Sequence, residues 1–121
     1  MEYFLEIVGN NSFVKLTIRG EITSEKGMMT NKAAYKLGKE NGINKYLVDI
    51  TEARNVNHIS QNYDFAYKDM NNELFDRFAK VAFLVDPADH SHDFLEIVLR
   101  NAGFIVQLFR NKEEALAFLL K

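Results

Sequence analysis

The chain has 121 residues, the size of one domain with one core. Apolar residues make up 47% and charged residues 26%, and 15 Lys plus Arg against 17 Asp plus Glu leave a net charge of −2. That balance excludes the basic footprint of a general nucleic-acid binder, and the absence of Cys excludes disulfides, zinc-thiolate sites and thiol catalysis.

The first segment, 3–8, is apolar enough for a strand. It carries Glu2 and Glu6 beside it and no basic region, unlike a signal peptide. Asn10, Asn11 and Ser12 form a turn cluster. Residues 13–19 alternate, with Val14, Leu16 and Ile18 on one face and Lys15, Thr17 and Arg19 on the other. Two such runs joined by a short polar turn predict an antiparallel hairpin.

Thr23 and Ser24 open a helix whose apolar stripe is Met29, Ala33, Ala34 and Leu37, with Gly42 as the left-handed residue that closes it. A third strand is predicted over 46–50 and a polar loop over 51–58. A second helix follows over 59–75, with Ile59, Tyr63, Ala66, Met70 and Leu74 inward. Residues 81–85 form a fourth strand, ended by Asp86 and Pro87. A third helix over 91–102 packs through Phe94, Ile97 and Val98 and stops at Gly103. A fifth strand over 104–109 and a last helix over 113–120 complete the chain.

The predicted order is β-β-α-β-α-β-α-β-α, an α/β fold with a five-stranded, mostly parallel sheet linked by right-handed crossovers. The fourth strand is apolar throughout and the fifth nearly so, which predicts cover on both faces. A symmetric homodimer would supply it, and so would helices returning to that face. The longest apolar runs are about five to six residues, against the ~20 of a membrane helix. The expectation is a cytoplasmic protein with no transmembrane segment.

Four segments carry a resemblance to a known family. They are Arg19-Gly20-Glu21-Ile22-Thr23, Tyr46-Leu47-Val48-Asp49-Ile50-Thr51, Lys80-Val81-Ala82-Phe83-Leu84-Val85, and the ending from Phe109 to Leu119 with its acidic turn and Ala-x-x-aromatic-Leu helix. In this order they resemble the SpoIIAA-like family, which is related to STAS domains and more loosely to Sec14-type lipid-binding domains. The resemblance covers nearly the whole chain. It implies a SpoIIAA-like fold and a non-enzymatic regulatory or protein-interaction module. STAS antagonists switch on a serine in an Asp-Ser-Ser-Gly sequence at the start of the second helix. This chain reads Asn57-His58-Ile59-Ser60-Gln61 there. Thr51, His58 and Ser60 are therefore the candidate phospho-switch or partner surface, while Ser60 is equally suited to open a helix without any switch.

The chain has no Gly-rich phosphate loop, no Gly-x-Ser-x-Gly elbow and no His-x-x-x-His pair, so no cofactor is expected. One polar constellation stands out. Asp86, Asp89, His90, His92 and Asp93 fall within eight residues, and His58 lies in the loop after the neighbouring strand. Both loops leave the carboxyl edge of a parallel sheet, where ligands of α/β folds bind. Asp49 is placed on the same edge. The candidate edge site is thus Asp49, Asp86, Asp89, His90 and His92. A metal held by His58, His90, His92 and Asp86, serving a hydrolase, is one reading. The other is that Asp89 or Ser91 caps the third helix and Asp93 meets its dipole. On a helix, His90 and His92 would diverge by about 200°. The second helix also has more apolar surface than one face needs. Phe65, Phe75 and Phe78 are candidates for an interface or for a pocket holding a small apolar or amphipathic, lipid-like ligand.

Overall fold

A computed structural model describes residues 2–70 and 75–121. Strand β1 (Glu2–Val8) pairs antiparallel with β2 (Phe13–Ile22), and Val8 stands opposite Phe13 across the turn. Helix α1 (Ser24–Glu40) leads to β3 (Lys45–Asn55), which lies parallel to β2. A helical segment, α2 (Ile59–Asp64) continued by a π-helical turn over Phe65–Asp69, precedes β4 (Lys80–Leu84). Helix α3 (Asp93–Asn101), β5 (Ile105–Phe109) and α4 (Lys112–Leu119) follow. The sheet runs β1-β2-β3-β4-β5, with every pair after the first parallel. The predicted α/β architecture is the observed one. No helix among the described residues is long and apolar enough to cross a membrane.

Sequential strand order has a geometric consequence. Each crossover moves the same way along the sheet, so right-handed connections put α1, α2 and α3 on one face. Val14, Leu16 and Ile18 from β2, with Val48, Phe83 and Val106, meet Ala34, Phe65 and Val98 from the helices in one buried core. The opposite face belongs to α4. Its Ala115 and Leu119, both fully buried, pack on Leu47, Ala82, Leu84, Phe109 and Phe13. On this face the returning helix covers β4 and the Phe109 end of β5, while Ile105 of β5 is left 44% exposed.

The local signals are visible in the termini. The Thr23 hydroxyl accepts from the Lys26 amide at 3.3 Å and starts α1. At its end Gly42 takes φ +67°, and Ile43 N donates to Gly38 O at 2.8 Å, the closing pattern that a left-handed residue permits. Asn111 caps α4 by accepting from Glu114 N at 3.2 Å.

Several elements depart from the expected boundaries. β3 runs to Asn55, so 51–55 is strand and not loop. Between Thr17 and Arg19 of β2, β3 has one extra residue: Thr17 faces Asp49, but Arg19 faces Glu52. This β-bulge changes the phase of β3. Before it, Tyr46, Val48 and Ile50 face the helices; after it, Ala53 and Asn55 do. The second helix is α only to Asp64, and Phe75 is outside it. Its inner residues are Phe65, Ala66 and Met70, whereas Tyr63 is 50% exposed and stacks with Tyr67 at 4.5 Å. Phe65 and Phe75 are core residues; of the three phenylalanines proposed for an interface, only Phe78 is exposed. Leu74 and the side chain of Ile59 lie outside the described residues. Met29 and Ile97 face out, and the inner lines are instead Gly27, Thr30, Ala34 and Gly38 on α1 and Val98 and Leu99 on α3. Small residues on α1 let it sit close to the sheet.

Candidate functional site

Beneath the three helices lies a cavity of about 70 Å³, partly open to solvent. Its floor is apolar: Ile18, Val48, Ile50, Phe83 and Val106 from four strands. Phe65 and Met70, which bracket the π-helical turn, wall one side, and Leu95 and Leu99 of α3 wall another. A π-turn adds a residue to the helical ladder and re-aims the side chains beyond it; here both ends of it face the cavity.

The rim is polar. It comes from three places that the sheet's carboxyl edge brings together: the start of α1, the end of β3 beyond the bulge, and the loop before α3. Asn57 Oδ1 accepts from Ser24 N at 3.0 Å, and Asn55 Oδ1 accepts from Asn57 N at 2.9 Å. Asn55 Nδ2 donates to Asn62 Oδ1 at 3.0 Å, while Asn55 N donates to Ser91 Oγ at 3.0 Å. Asn55 and His92 are buried polar residues of the rim, and Asn62 is buried behind Asn55. Buried amides left unpaired would be costly, so each bond also fixes a segment of chain. Ser24 Oγ is a fully buried atom with no hydrogen-bond partner among the described residues.

The two expected segments, 51–60 and 86–93, do meet, through Asn55 and Ser91 and through His92 and Ala53. His92 is 1% exposed. Its Nε2 lies 3.1 Å from Ala53 O and 3.4 Å from Asp89 Oδ2, so Nε2 carries a hydrogen toward two oxygen acceptors. Asp89 also accepts from Ser91 N at 2.8 Å. Burial pushes the Asp89 carboxyl up, but its bonds with Ser91 and the nearby His92 and Arg54 outweigh that and hold it below the ordinary aspartate range.

His90 points elsewhere. Its Nδ1 meets Asp93 Oδ2 at 2.7 Å on the surface, and Arg110 Nη2 donates to Asp93 Oδ1 at 2.8 Å. Arg110 Nη2 also lies 3.0 Å from the same ring nitrogen; the shorter contact with a carboxylate makes Nδ1–H the donor to Asp93. Burial raises the Asp93 carboxyl, and the bonds with His90 and Arg110 more than reverse this.

The remaining candidates are dispersed. His58 is exposed at the start of α2, where its amide donates to Gln61 Oε1 at 2.7 Å. Ser60 is exposed one turn-position further on. Asp86 is exposed and accepts from Ala88 N at 2.8 Å, beside an open dent lined by Arg54 and His90. Asp49 does not end its strand, because β3 continues past it. Alternation with Val48 and Ile50 puts Asp49 on the α4 face, where its Oδ1 accepts from Thr51 N at 3.1 Å and Thr51 Oγ1 at 2.8 Å. Asp49 and Thr51 thus pair with each other and leave the edge site. Among the described residues no three His, Asp or Glu side chains are placed to share a metal ion; His58, His90, His92 and Asp86 are not brought together, since His92 turns into the interior and His90 outward.

The cavity lining holds Ser24, Asn31, Asn55 and Asn57, with Asn62 bonded behind Asn55; none of these was a site candidate in the sequence. The signal for Asn55, Asn57 and Asn62 was the density of asparagine in 55–62, which reads as turn chemistry until β3 is known to extend through Asn55. The chain matches no protein-family model and no curated protein.

Proposed function

We propose that the protein is a non-enzymatic binding module of the SpoIIAA-like, STAS-related type, whose ligand is a small apolar or amphipathic molecule. The observation that carries this is the cavity: apolar walls, a polar rim and a location at the carboxyl edge of a parallel sheet. Its size limits the ligand. An engineered apolar cavity of about 150 Å³ accepts benzene, so about 70 Å³ suits a group of a few heavy atoms and not a full lipid tail. Xenon tests the reading. Under xenon pressure, ¹⁵N-labelled protein should show saturable shifts confined to the amides around Val48, Phe65 and Leu99; shifts that stay linear and diffuse would remove it.

A regulatory role in a bacterial-type cytoplasm fits the same surface. Ser60 is exposed and sits on the short helix that runs directly into the cavity wall at Phe65. A phosphate there would add nearly two charges beside the rim. Mass spectrometry of protein from its natural cell is the test, and the absence of phosphate on Ser60 and Thr51 would count against the switch. α4 covers β4 and the Phe109 end of β5, and a homodimer would cover the exposed Ile105 beside them; light scattering at micromolar concentration decides the oligomeric state.

A further inference from the structure

We infer that the outer edge of β5 is a surface on which a second copy of this chain docks, strand against strand, and that Glu96 is the latch that holds this edge closed. Three observations carry it.

The first is the direction of the backbone groups in β5. The strand ends the sheet and has β4 on one side only. Val85, next after β4, donates its N–H to Phe109 O at 2.9 Å, so Phe109 turns its backbone groups toward β4. That direction alternates along a strand, so Val106 and Leu108 turn theirs to the open side. An open row of this kind is a template for another strand. Here Glu96 of α3 intervenes, and its Oε2 accepts from Leu108 N at 2.5 Å. The carboxylate occupies the place that an incoming strand's carbonyl would take.

The second is charge. β5 reads Ile-Val-Gln-Leu-Phe, with no charged residue, no proline and no bulge. Those are the devices that ordinarily guard an edge. The opposite edge, β1, carries Glu2 and Glu6, and two β1 edges laid together would bring like charges side by side. Two β5 edges would not. The guard of β5 is instead a side chain lent by α3.

The third is self-complementarity. Laid antiparallel about a two-fold at Gln107, the strand meets itself in register. Gln107 stands opposite its own copy, Val106 opposite Leu108, and Ile105 opposite Phe109. Val106 and Leu108 are the residues whose backbone groups face out, so each such pair exchanges two hydrogen bonds. A side-chain amide both donates and accepts, so the two Gln107 side chains can bond each other. Ile105, 44% exposed, gains an aromatic neighbour. The contact is isologous and closes at two copies.

The experiment compares the full chain with its variants by light scattering at micromolar concentration. Glu96→Ala frees Leu108 N and should double the parent's mass. Glu96→Gln keeps an acceptor for Leu108 N and should keep the parent's mass. Gln107 is exposed, so lysine there leaves the core alone. Added to Glu96→Ala, Gln107→Lys sets two like charges face to face at the two-fold and should return the mass to the parent's. Amide hydrogen exchange in the parent reads the latch without any substitution: Leu108 should exchange at least tenfold more slowly than Val106, its neighbour on the open side. Equal exchange at the two would show that Glu96 holds nothing. A Glu96→Ala variant at the parent's mass leaves the edge to some other strand and overturns the proposal. So does growth beyond a doubling, or a doubled mass that survives Gln107→Lys. If Gln107→Lys alone lowers the parent's mass, the edge is already paired and Glu96 is no latch.

Discussion

Asn55 Nδ2 donates to Asn62 Oδ1 at 3.0 Å, and both side chains are buried. This bond ties the end of β3 to α2 at the cavity rim. Asn62→Ala strands the Asn55 donor in the interior and should cost about 1–3 kcal/mol in urea unfolding. Asn55→Ala breaks more, because the same residue accepts from Asn57 N. The double variant should be less unstable than the sum of the two singles; strict additivity would show that the bond is absent in solution.

Gly27→Ala should stabilise the protein by about 0.5–1 kcal/mol, since alanine is the better helix former and the new methyl meets Phe65 and Ile22 at ordinary contact distance. The same methyl fills part of the cavity, so xenon binding should fall while the thermal midpoint rises. A variant that is both more stable and unchanged toward xenon would separate Gly27 from the cavity.

Gly38→Ala should act in the opposite direction. A β-carbon at Gly38 would overlap Tyr46 Oη and also crowd Tyr46 Cζ and the Ile43 carbonyl oxygen, so the ring, the helix or the turn must shift, at about 1–3 kcal/mol. Tyr46→Phe removes the closest of these atoms, along with its 3.2 Å bond to Ile43 O, and leaves the Ile43 carbonyl in place. The pair of changes together should therefore destabilise less than the two measured separately. A double-mutant cycle by urea denaturation reads the coupling.

Stability should decline at both ends of the pH scale for identifiable reasons. Asp89 and Asp93 have folded values below the ordinary aspartate value of about 3.9. Their contribution is present above that pH and lost as pH falls through the depressed folded value. Asp89→Asn keeps the acceptor for Ser91 N, so it should be less stable than the parent at pH 6, and the gap should narrow as the pH falls below the ordinary aspartate value. At the alkaline end, burial and the charge of Asp76 push the Tyr46 hydroxyl up to about 12, and burial raises Tyr35 in the same direction. The unfolded chain releases these protons near pH 10, so stability should fall from pH 10 upward. Tyr46→Phe should flatten that limb.

Much of the fold was legible because its signals are local. Alternation in 13–19, the Thr23 cap and the closing Gly42 each act within a few residues, and the structure places them as read. The site was less legible because it depends on the bulge. With an unbroken period of two, Glu52 and Arg54 would face the helices and Asn55 would face away; one added residue reverses this. Asp49 was misplaced for the same reason, since nothing local says that β3 continues past Ile50. The histidines could be located to one edge, but not aimed. Whether His92 turns inward depends on Ala53 O, 39 positions earlier in the chain. The small inner face of α1 was hidden because Gly27 and Gly38 carry no hydrophobic signal at all.

The extra residue in β3 divides the strand into two reading frames. The part up to Ile50 keeps phase with the core, and the part from Glu52 keeps phase with the cavity rim. Anyone transplanting the rim onto another parallel sheet must carry the insertion with it. Moved without it, the segment would present a glutamate and an arginine to the recipient's interior. The unit of inheritance for this site is therefore a sequence plus an offset.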